Sequence, residues 1–241
     1  YGQERDNATP ENLSTRLDGE WSRAKFMVTA SNCTKQSFVY AGCPAERIHV
    51  VPYGAGITGI PSQRGKKPQE RCRFLFVGQG TQRKGLHHLI KAWNKLAPQD
   101  AELLIIAGVI DPGIAALAGP GIDILPRQSR ASLFQHYASA HIFVMQSLID
   151  GFGLVYTEAL ANGAFVIGTP NTGLPDIDLP PWAGNIVTVG SIDMLAAALD
   201  DGIRRWRNGL LDAEAIRKFA ESLTWKEFRS KVASVAREYH P

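Results

Sequence analysis

From residue 73 onward, short apolar runs alternate with segments of helical periodicity. The run at 102–107 has the character of a strand that is covered on both faces. The segment before it has one apolar helical face, formed by Leu86, Leu89, Ile90, Trp93 and Leu96. This alternation predicts an α/β fold, in which helices cover both sides of a doubly wound, Rossmann-like parallel sheet.

The same patterns place strands and helices along most of the chain. The predicted strands are 26–30, 48–52, 73–77, 102–107, 122–125, 142–146, 165–168 and 185–189. The predicted helices are 34–41, 86–96, 129–140, 153–163, 193–207 and a last one that starts at a capping box of Thr224 and Glu227. Residues 54–71, rich in Gly and Pro, are interpreted as a linker. Ligands of such sheets bind at the carboxyl ends of strands, so the loops there are candidate sites.

Composition and charge exclude several classes of protein. The 241 residues are 44% hydrophobic and 20% charged, which allows a sizeable core. The net charge of +3 comes without a dense Lys/Arg run, so no nucleic-acid partner is expected. No apolar run approaches the roughly 18 residues of a membrane span, and residues 1–20 lack the pattern of a signal peptide. Three cysteines without CxxC spacing indicate a reducing compartment, so we expect a cytoplasmic protein.

The first loop with chemical character runs from Gly78 to Gly85. It is a glycine-containing turn followed by two adjacent cations, Arg83 and Lys84, at a helix start. Arginine can bind a phosphate with two N–H groups, and lysine supplies a point charge. Because the loop matches neither GxGxxG nor GxxxxGK[ST], a solvated turn with two surface cations is the alternative interpretation.

The second loop lies between Asp150 and Glu158. Gly151 and Gly153 allow close approach of a ligand to the backbone, and the free N–H groups of the helix start favour an anion. Glu158 lies about one and a half turns into that helix. A carboxylate on each side of a helix start suits a ligand with a phosphate between two polyols. The alternative is that Asp150 caps the helix and Glu158 faces solvent.

The two loops, in this order, resemble those of retaining GT-B glycosyltransferases of family 4. Seven residues separate Asp150 from Glu158, as in the E-x7-E motif of that family, and 74–85 resembles its strand and "KG" loop. The stretch from Trp21 to Gly54 is similar to the end of the family's N-terminal domain and crossover, and the helix at Trp225 is similar to its closing helix. The resemblance covers about residues 20–240.

The resemblance implies the C-terminal half of a GT-B fold. Residues 1–57 would be a remnant of the acceptor domain with the crossover, and residues 58–241 would be the donor domain with the closing helix. Most of the acceptor domain is missing, so the chain is interpreted as a fragment that is inactive alone.

The resemblance also implies roles for individual residues. Lys84 corresponds to the lysine that contacts the donor diphosphate, Asp150 to the residue that contacts the donor sugar, and Glu158 to the residue that binds the ribose. Asp150 and Lys84 are the expected catalytic residues. The other expected donor contacts are Gly78, Arg83, Arg127, Gly151, Phe152, Gly153 and Leu154.

Two residues depart from the family pattern. Asp150 replaces a glutamate and is one methylene shorter, which bears on the choice of sugar. Gln79 stands where many members have arginine, and Arg83 is the candidate to supply that charge.

The implied reaction transfers a hexose from a UDP-, GDP- or ADP-hexose, with retention, to a saccharide or lipid-linked acceptor bound by the missing domain. Lys84, Arg83 and the helix start at Gly153 would stabilise charge on the leaving diphosphate, so no metal or other cofactor is expected. His87 and His88 are adjacent on a helix, about 100° apart, and are interpreted as surface residues rather than metal ligands.

Three other functions stay open. The first is a nucleotide-sugar binding module without turnover, and the second is a sugar-nucleotide epimerase of GT-B architecture. The third is an interaction module that uses the basic cluster at 204–207. A homodimer and a peripheral contact with the inner face of the membrane are also left open.

Overall fold

The computed structural model describes residues 19–56 and 71–239. Most of the predicted linker, residues 57–70, lies outside the described residues. No helix in the described ranges combines the length and the hydropathy that a membrane span requires.

Two parallel sheets organise the described residues. The small sheet pairs β1 (Met27–Thr29) with β2 (Ile48–Val50). The large sheet contains six described strands: β3 (Cys72–Val77), β4 (Ala101–Ile106), β5 (Ile122–Leu125), β6 (Ile142–Val144), β7 (Phe165–Gly168) and β8 (Gly184–Ile186). Their order is β5-β4-β3-β6-β7-β8, so the direction of winding reverses between β3 and β6. In such sheets this switch point, outside the carboxyl ends of the strands, is where ligands bind.

Helices connect and flank the strands. They are α1 (Asn32–Tyr40), α2 (Leu86–Leu96), α3 (Pro112–Ala115), α4 (Arg130–Ser139), α5 (Leu154–Ala161), α6 (Ile192–Arg207), α7 (Ala213–Glu221) and α8 (Trp225–Tyr239). The prediction of a parallel α/β sheet is confirmed. The structure adds α3 and α7, which were not predicted, and β8 is shorter than the predicted 185–189.

The core fixes the two central strands at the switch point. Phe74 of β3 and Phe143 of β6 are buried, and Trp93 of α2 packs edge-on against Phe74, with ring centroids 5.3 Å apart. Tyr137 of α4 and Tyr156 of α5 are buried on the other side of β6. Each such side chain contributes roughly 1.5–3 kcal/mol through burial. The ends of β3 and β6 are therefore held in place by the best-packed part of the molecule.

The segment after β2 is tied to the C-terminal helix. The Ala55 N–H donates to the Leu223 carbonyl over 2.7 Å, and Tyr53 stacks on Trp225 with centroids 5.5 Å apart. A Cβ at Gly54 would lie 2.3 Å from the Trp225 nitrogen, so only glycine allows this approach. The small N-terminal unit, formed by β1, α1 and β2, is thereby fixed against the large sheet.

Candidate functional site

Lys84 is carried by a tight turn that follows β3. Residues Gln82–Lys84 form a 3-10 turn, and Gly85 adopts a φ of +67° directly before α2. A Cβ at Gly85 would lie 1.7 Å from the Gln146 carbonyl oxygen, so glycine is required here. This close approach brings Lys84 next to the loop that follows β6.

Lys84 and Asp150 form an ion pair at the switch point. The Lys84 Nζ donates to the Asp150 Oδ2, and the two side chains are only 14% and 15% exposed. The half-exposed Arg83 guanidinium lies 4.0 Å from the other oxygen of Asp150. The two predicted catalytic residues are thus in contact. Arg83 stands behind them as a second cation.

The start of α5 presents free backbone amides. Gly153 is the N-cap, with a φ of +86° and no side-chain cap. No described residue accepts a hydrogen bond from the amides of residues 152–155. Free amides and the positive end of the helix dipole favour an anion at this point. Since Gly153 takes the capping position, the alternative that Asp150 caps this helix is wrong.

Glu158 faces a buried partner rather than solvent. The Tyr137 hydroxyl donates to the Glu158 Oε2 over 3.0 Å. Burial raises the pKa of Glu158, while the bond from Tyr137 and the charge of Arg130 act in the opposite direction. Burial also raises the pKa of Tyr137 well above its ordinary value, so this hydroxyl stays protonated as a donor. The alternative of a solvent-facing Glu158 is therefore wrong.

Two cavities meet at Gly78, at the end of β3. The first has a volume of about 510 Å³ and lies between the N-terminal unit and the loop after β6. Of the predicted site residues it is lined by Gly78, Lys84, Asp150, Gly151, Phe152, Gly153 and Leu154. The second, of about 540 Å³, lies outside β3, β4 and β5 and is lined by Gly78, Arg127 and Arg130. Arg83 and Glu158 line neither cavity, although each lies next to a residue of the site.

Phe152 offers a ligand only its backbone. Its side chain is buried, and its ring lies 5.2 Å from that of Tyr53. The Gly173 N–H donates to the Phe152 carbonyl over 2.8 Å, and a Cβ at Gly173 would lie 2.0 Å from the Phe152 ring. The aromatic side chain therefore anchors the loop through its packing against Tyr53 and Gly173.

His87 and His88 differ from the prediction of surface residues. Both are half-buried, and their ring centroids lie 3.9 Å apart. Burial, with the neighbouring His88 and Lys91, lowers the pKa of His87 to about 4, so it is neutral at pH 7. Within the described ranges, no group of three His, Cys, Asp or Glu side chains could hold a metal ion.

Sequence reasoning missed two residues of this region. Tyr137 and Arg130 both lie on α4, and both act on Glu158 of α5. The sequence separation between α4 and α5 does not indicate that these side chains meet. Only the arrangement of α4 beside α5 reveals it.

Several known proteins are similar to this chain in sequence or in fold. The chain is 28% identical over 202 residues to an MMP alpha-(1->4)-mannosyltransferase of Mycolicibacterium hassiacum. The aligned residues make up 79% of this chain and 48% of that protein. It matches the sucrose-phosphate synthase of Thermosynechococcus elongatus with a TM-score of 0.79 and 19% identity, over 98% of this chain and 64% of that one. The structure of Anabaena HepE in complex with UDP and glucose matches with a TM-score of 0.76 and 20% sequence identity. The match covers 94% of this chain and 66% of that one.

These similarities fix the fold and the family. At such low identity the solved structures establish the fold alone, and it is the GT-B arrangement that was expected. The chain spans about half the length of the curated relatives it matches. Residues 60–220, more than half of the chain, match the family described as glycosyl transferases group 1. The chain therefore belongs to the group 1 family of glycosyl transferases.

Proposed function

We propose that this chain supplies the donor site of a retaining glycosyltransferase, which moves a hexose from a nucleoside diphosphate sugar to a saccharide or lipid-linked acceptor. The proposal is carried by the Lys84–Asp150 pair and the free helix start at Gly153, which line one cavity. A cation, a carboxylate and free amides together suit a ligand that carries both phosphate and hydroxyl groups.

Each part of such a donor has a candidate partner. The diphosphate binds the free amides after Gly153 and the Lys84 ammonium group, and the sugar hydroxyls bind Asp150. The ribose binds Glu158, and the base occupies the cavity beside Arg127. Lys84 and the helix start then stabilise the charge that develops on the leaving diphosphate. Because this set is already cationic, we propose that the transfer needs no metal ion.

The names of similar proteins support a hexose donor. The matched relative is a mannosyltransferase, and the HepE structure contains UDP and glucose. The base and the sugar of this chain's own donor are left open among UDP-, GDP- and ADP-hexoses.

Calorimetry in EDTA tests the proposal. UDP, GDP and ADP are titrated into the chain, and a thermal-shift panel of the matching sugars runs in parallel. We expect heat from at least one diphosphate without metal, and a higher Tm, because a ligand that binds only the folded state stabilises it. No heat from any of the three, or a strict need for Mg²⁺ or Mn²⁺, would contradict the proposal.

A binding module without turnover is the second candidate. It is favoured by the fact that the chain spans about half the length of its curated relatives. Binding of a sugar donor without hydrolysis or transfer is the result that this candidate predicts. An epimerase would need further catalytic carboxylates from outside this chain.

The basic cluster at 204–207, which suggested an interaction module, is occupied by contacts within the chain. Arg204 and Arg205 pair with Asp200 and Asp201, and Arg207 pairs with Asp100 over 2.6 Å. We propose a cytoplasmic location, which agrees with three cysteines that are all free. A homodimer and a contact with the inner face of the membrane remain proposals without a structural argument.

A further inference from the structure

The small N-terminal unit reaches across the first cavity to two loops of the large sheet. The Ser31 and Thr34 hydroxyls both donate to the Gly151 carbonyl oxygen, over 2.6 Å and 3.1 Å. Asn32 donates to the Asp176 carboxylate from its backbone N–H over 2.9 Å and from its side-chain amide over 2.5 Å. We call these five residues the clasp. It joins the loop after β6 and the turn after β7 to one helix start.

The start of α1 explains why the clasp forms. Ser31 is the N-cap, and its Oγ accepts from the Thr34 N–H over 3.1 Å while its proton is directed to Gly151. Ser31 is fully buried, so this hydroxyl has no access to water. The Asp176 carboxylate lies at the positive end of α1, where a negative charge is favoured.

The clasp holds the glycine-containing end of the loop after β6, whose earlier residues are held by Asn171, Arg83 and Lys84. Gly151 and Gly153 have no side chains, so the path of the loop depends on its backbone bonds and on Phe152. The Phe152 carbonyl is held by the Gly173 N–H over 2.8 Å, and the Gly151 carbonyl is held by the clasp. Directly before these carbonyls lies Asp150, and directly after them lie the free amides of α5. Asp150 is also held by Lys84 and by its N–H bond to the Asn171 carbonyl, so loss of a clasp bond should mainly free the backbone at Gly151 and the amides that follow it.

We propose that Ser31 and Thr34 are positioning residues for the donor diphosphate. They hold the Gly151 carbonyl and so fix the loop that carries Asp150 and the helix-start amides. The proposal rests on the proposed function for the identity of the ligand. It assigns a role at the donor site to residues of the N-terminal unit, which sequence reasoning treated only as a remnant of the other domain.

A matched pair of variants at Thr34 tests the proposal. Thr34→Val removes the hydroxyl and keeps the branched shape, whereas Thr34→Ser keeps the hydroxyl, and both leave the Ser31 cap intact. We expect the Kd of the best-binding diphosphate to rise about three- to tenfold in Thr34→Val, the effect of one lost hydrogen bond, and to be restored in Thr34→Ser. The Kd of the matching nucleoside should not change, because the ribose contact at Glu158 is separate.

Other results overturn the proposal. It is wrong if Thr34→Val binds the diphosphate as the wild type does, or if diphosphate and nucleoside are weakened equally. Hydrogen exchange of residues 150–155 gives a readout that needs no ligand, and we expect faster exchange in Thr34→Val than in Thr34→Ser. If the wild type binds no diphosphate, the proposed function fails. Equal hydrogen exchange of residues 150–155 in Thr34→Val and Thr34→Ser would show, independently of any ligand, that the Thr34 hydroxyl does not hold the loop.

Discussion

The two carboxylates of the site are held in different environments. Asp150 pairs with Lys84 and lies beside Arg83, so its charge is matched by cations. Glu158 is matched by a neutral hydroxyl and a more distant cation, and burial raises its pKa. The different surroundings support the proposed difference in roles, with Asp150 at the donor sugar and Glu158 at the ribose.

Conservative substitutions should separate these roles. Glu158→Gln should weaken the free diphosphate and the sugar donor alike, by about 1.5–3 kcal/mol, because both ligands contain the ribose and both lose a charged hydrogen bond. Asp150→Asn should spare the free diphosphate and weaken only the sugar donor. Calorimetry with both ligands checks this. Equal losses for both ligands in Asp150→Asn would show that the two roles are wrongly assigned.

Tyr137→Phe should shift the pH dependence of donor binding. The ionised form of Glu158 is the better acceptor for ribose hydroxyls, so binding weakens as the pH falls through the pKa of Glu158. Tyr137 counteracts the rise in that pKa, so its loss should raise the pKa further and start the weakening at higher pH. We expect the two proteins to bind alike at a pH where Glu158 is ionised in both, and the variant to bind about two- to tenfold more weakly at lower pH, roughly the worth of one hydrogen bond. An unchanged pH profile of the diphosphate Kd would contradict this coupling.

At the scale of elements, strands that are buried on both faces were the easiest to predict. β3 and β4 coincide with the predicted strands to within one residue at each end, because their apolar runs end at glycine or polar positions. α7 was missed although Ile216, Phe219 and Ala220 follow helical spacing, because its apolar face covers only two turns of a nine-residue helix. The cap is a second signal in the sequence, where Asp212 accepts from two backbone amides. Contacts between elements, such as Tyr137 with Glu158, could not be predicted from spacing at all.

The turn that carries Lys84 offers a prediction at this scale. Gly85→Ala should destabilise the protein by more than about 2 kcal/mol, because it adds a left-handed alanine and a clash with the Gln146 carbonyl. Gly209→Ala is the matched control, since Gly209 has a φ of +68° with nothing within 4 Å of its Cβ position. It should cost only about 1 kcal/mol. Similar denaturation midpoints for the two variants would show that the close approach at Gly85 is not required.

At the scale of the whole molecule, three parts enclose the first cavity. The large sheet supplies Lys84 and the loop after β6, and the N-terminal unit supplies the facing wall through the clasp. Tyr53 contacts both Phe152 and Trp225, and so connects the loop after β6 to α8. The fold that encloses the cavity could be predicted from the sequence, whereas the cross-links between its walls could not, because they join residues more than 100 positions apart.

Activity should require more than this chain. We expect no sugar transfer by the 241 residues alone, because the chain spans only about half the length of the curated relatives it matches. In a longer protein that includes the acceptor domain, Lys84→Ala should reduce turnover by about 10²–10³. Steady-state transfer assays check both statements. Transfer by the isolated chain, or normal turnover of the Lys84→Ala protein, would refute this division of labour.

The most direct measurement is a crystal structure of this chain with the diphosphate that binds best in EDTA. The account predicts the β-phosphate within hydrogen-bond distance of the amides of residues 153–155 and of the Lys84 Nζ, with the ribose on Glu158. A diphosphate bound in another cavity, or a phosphate that contacts neither the helix start nor Lys84, would contradict the account.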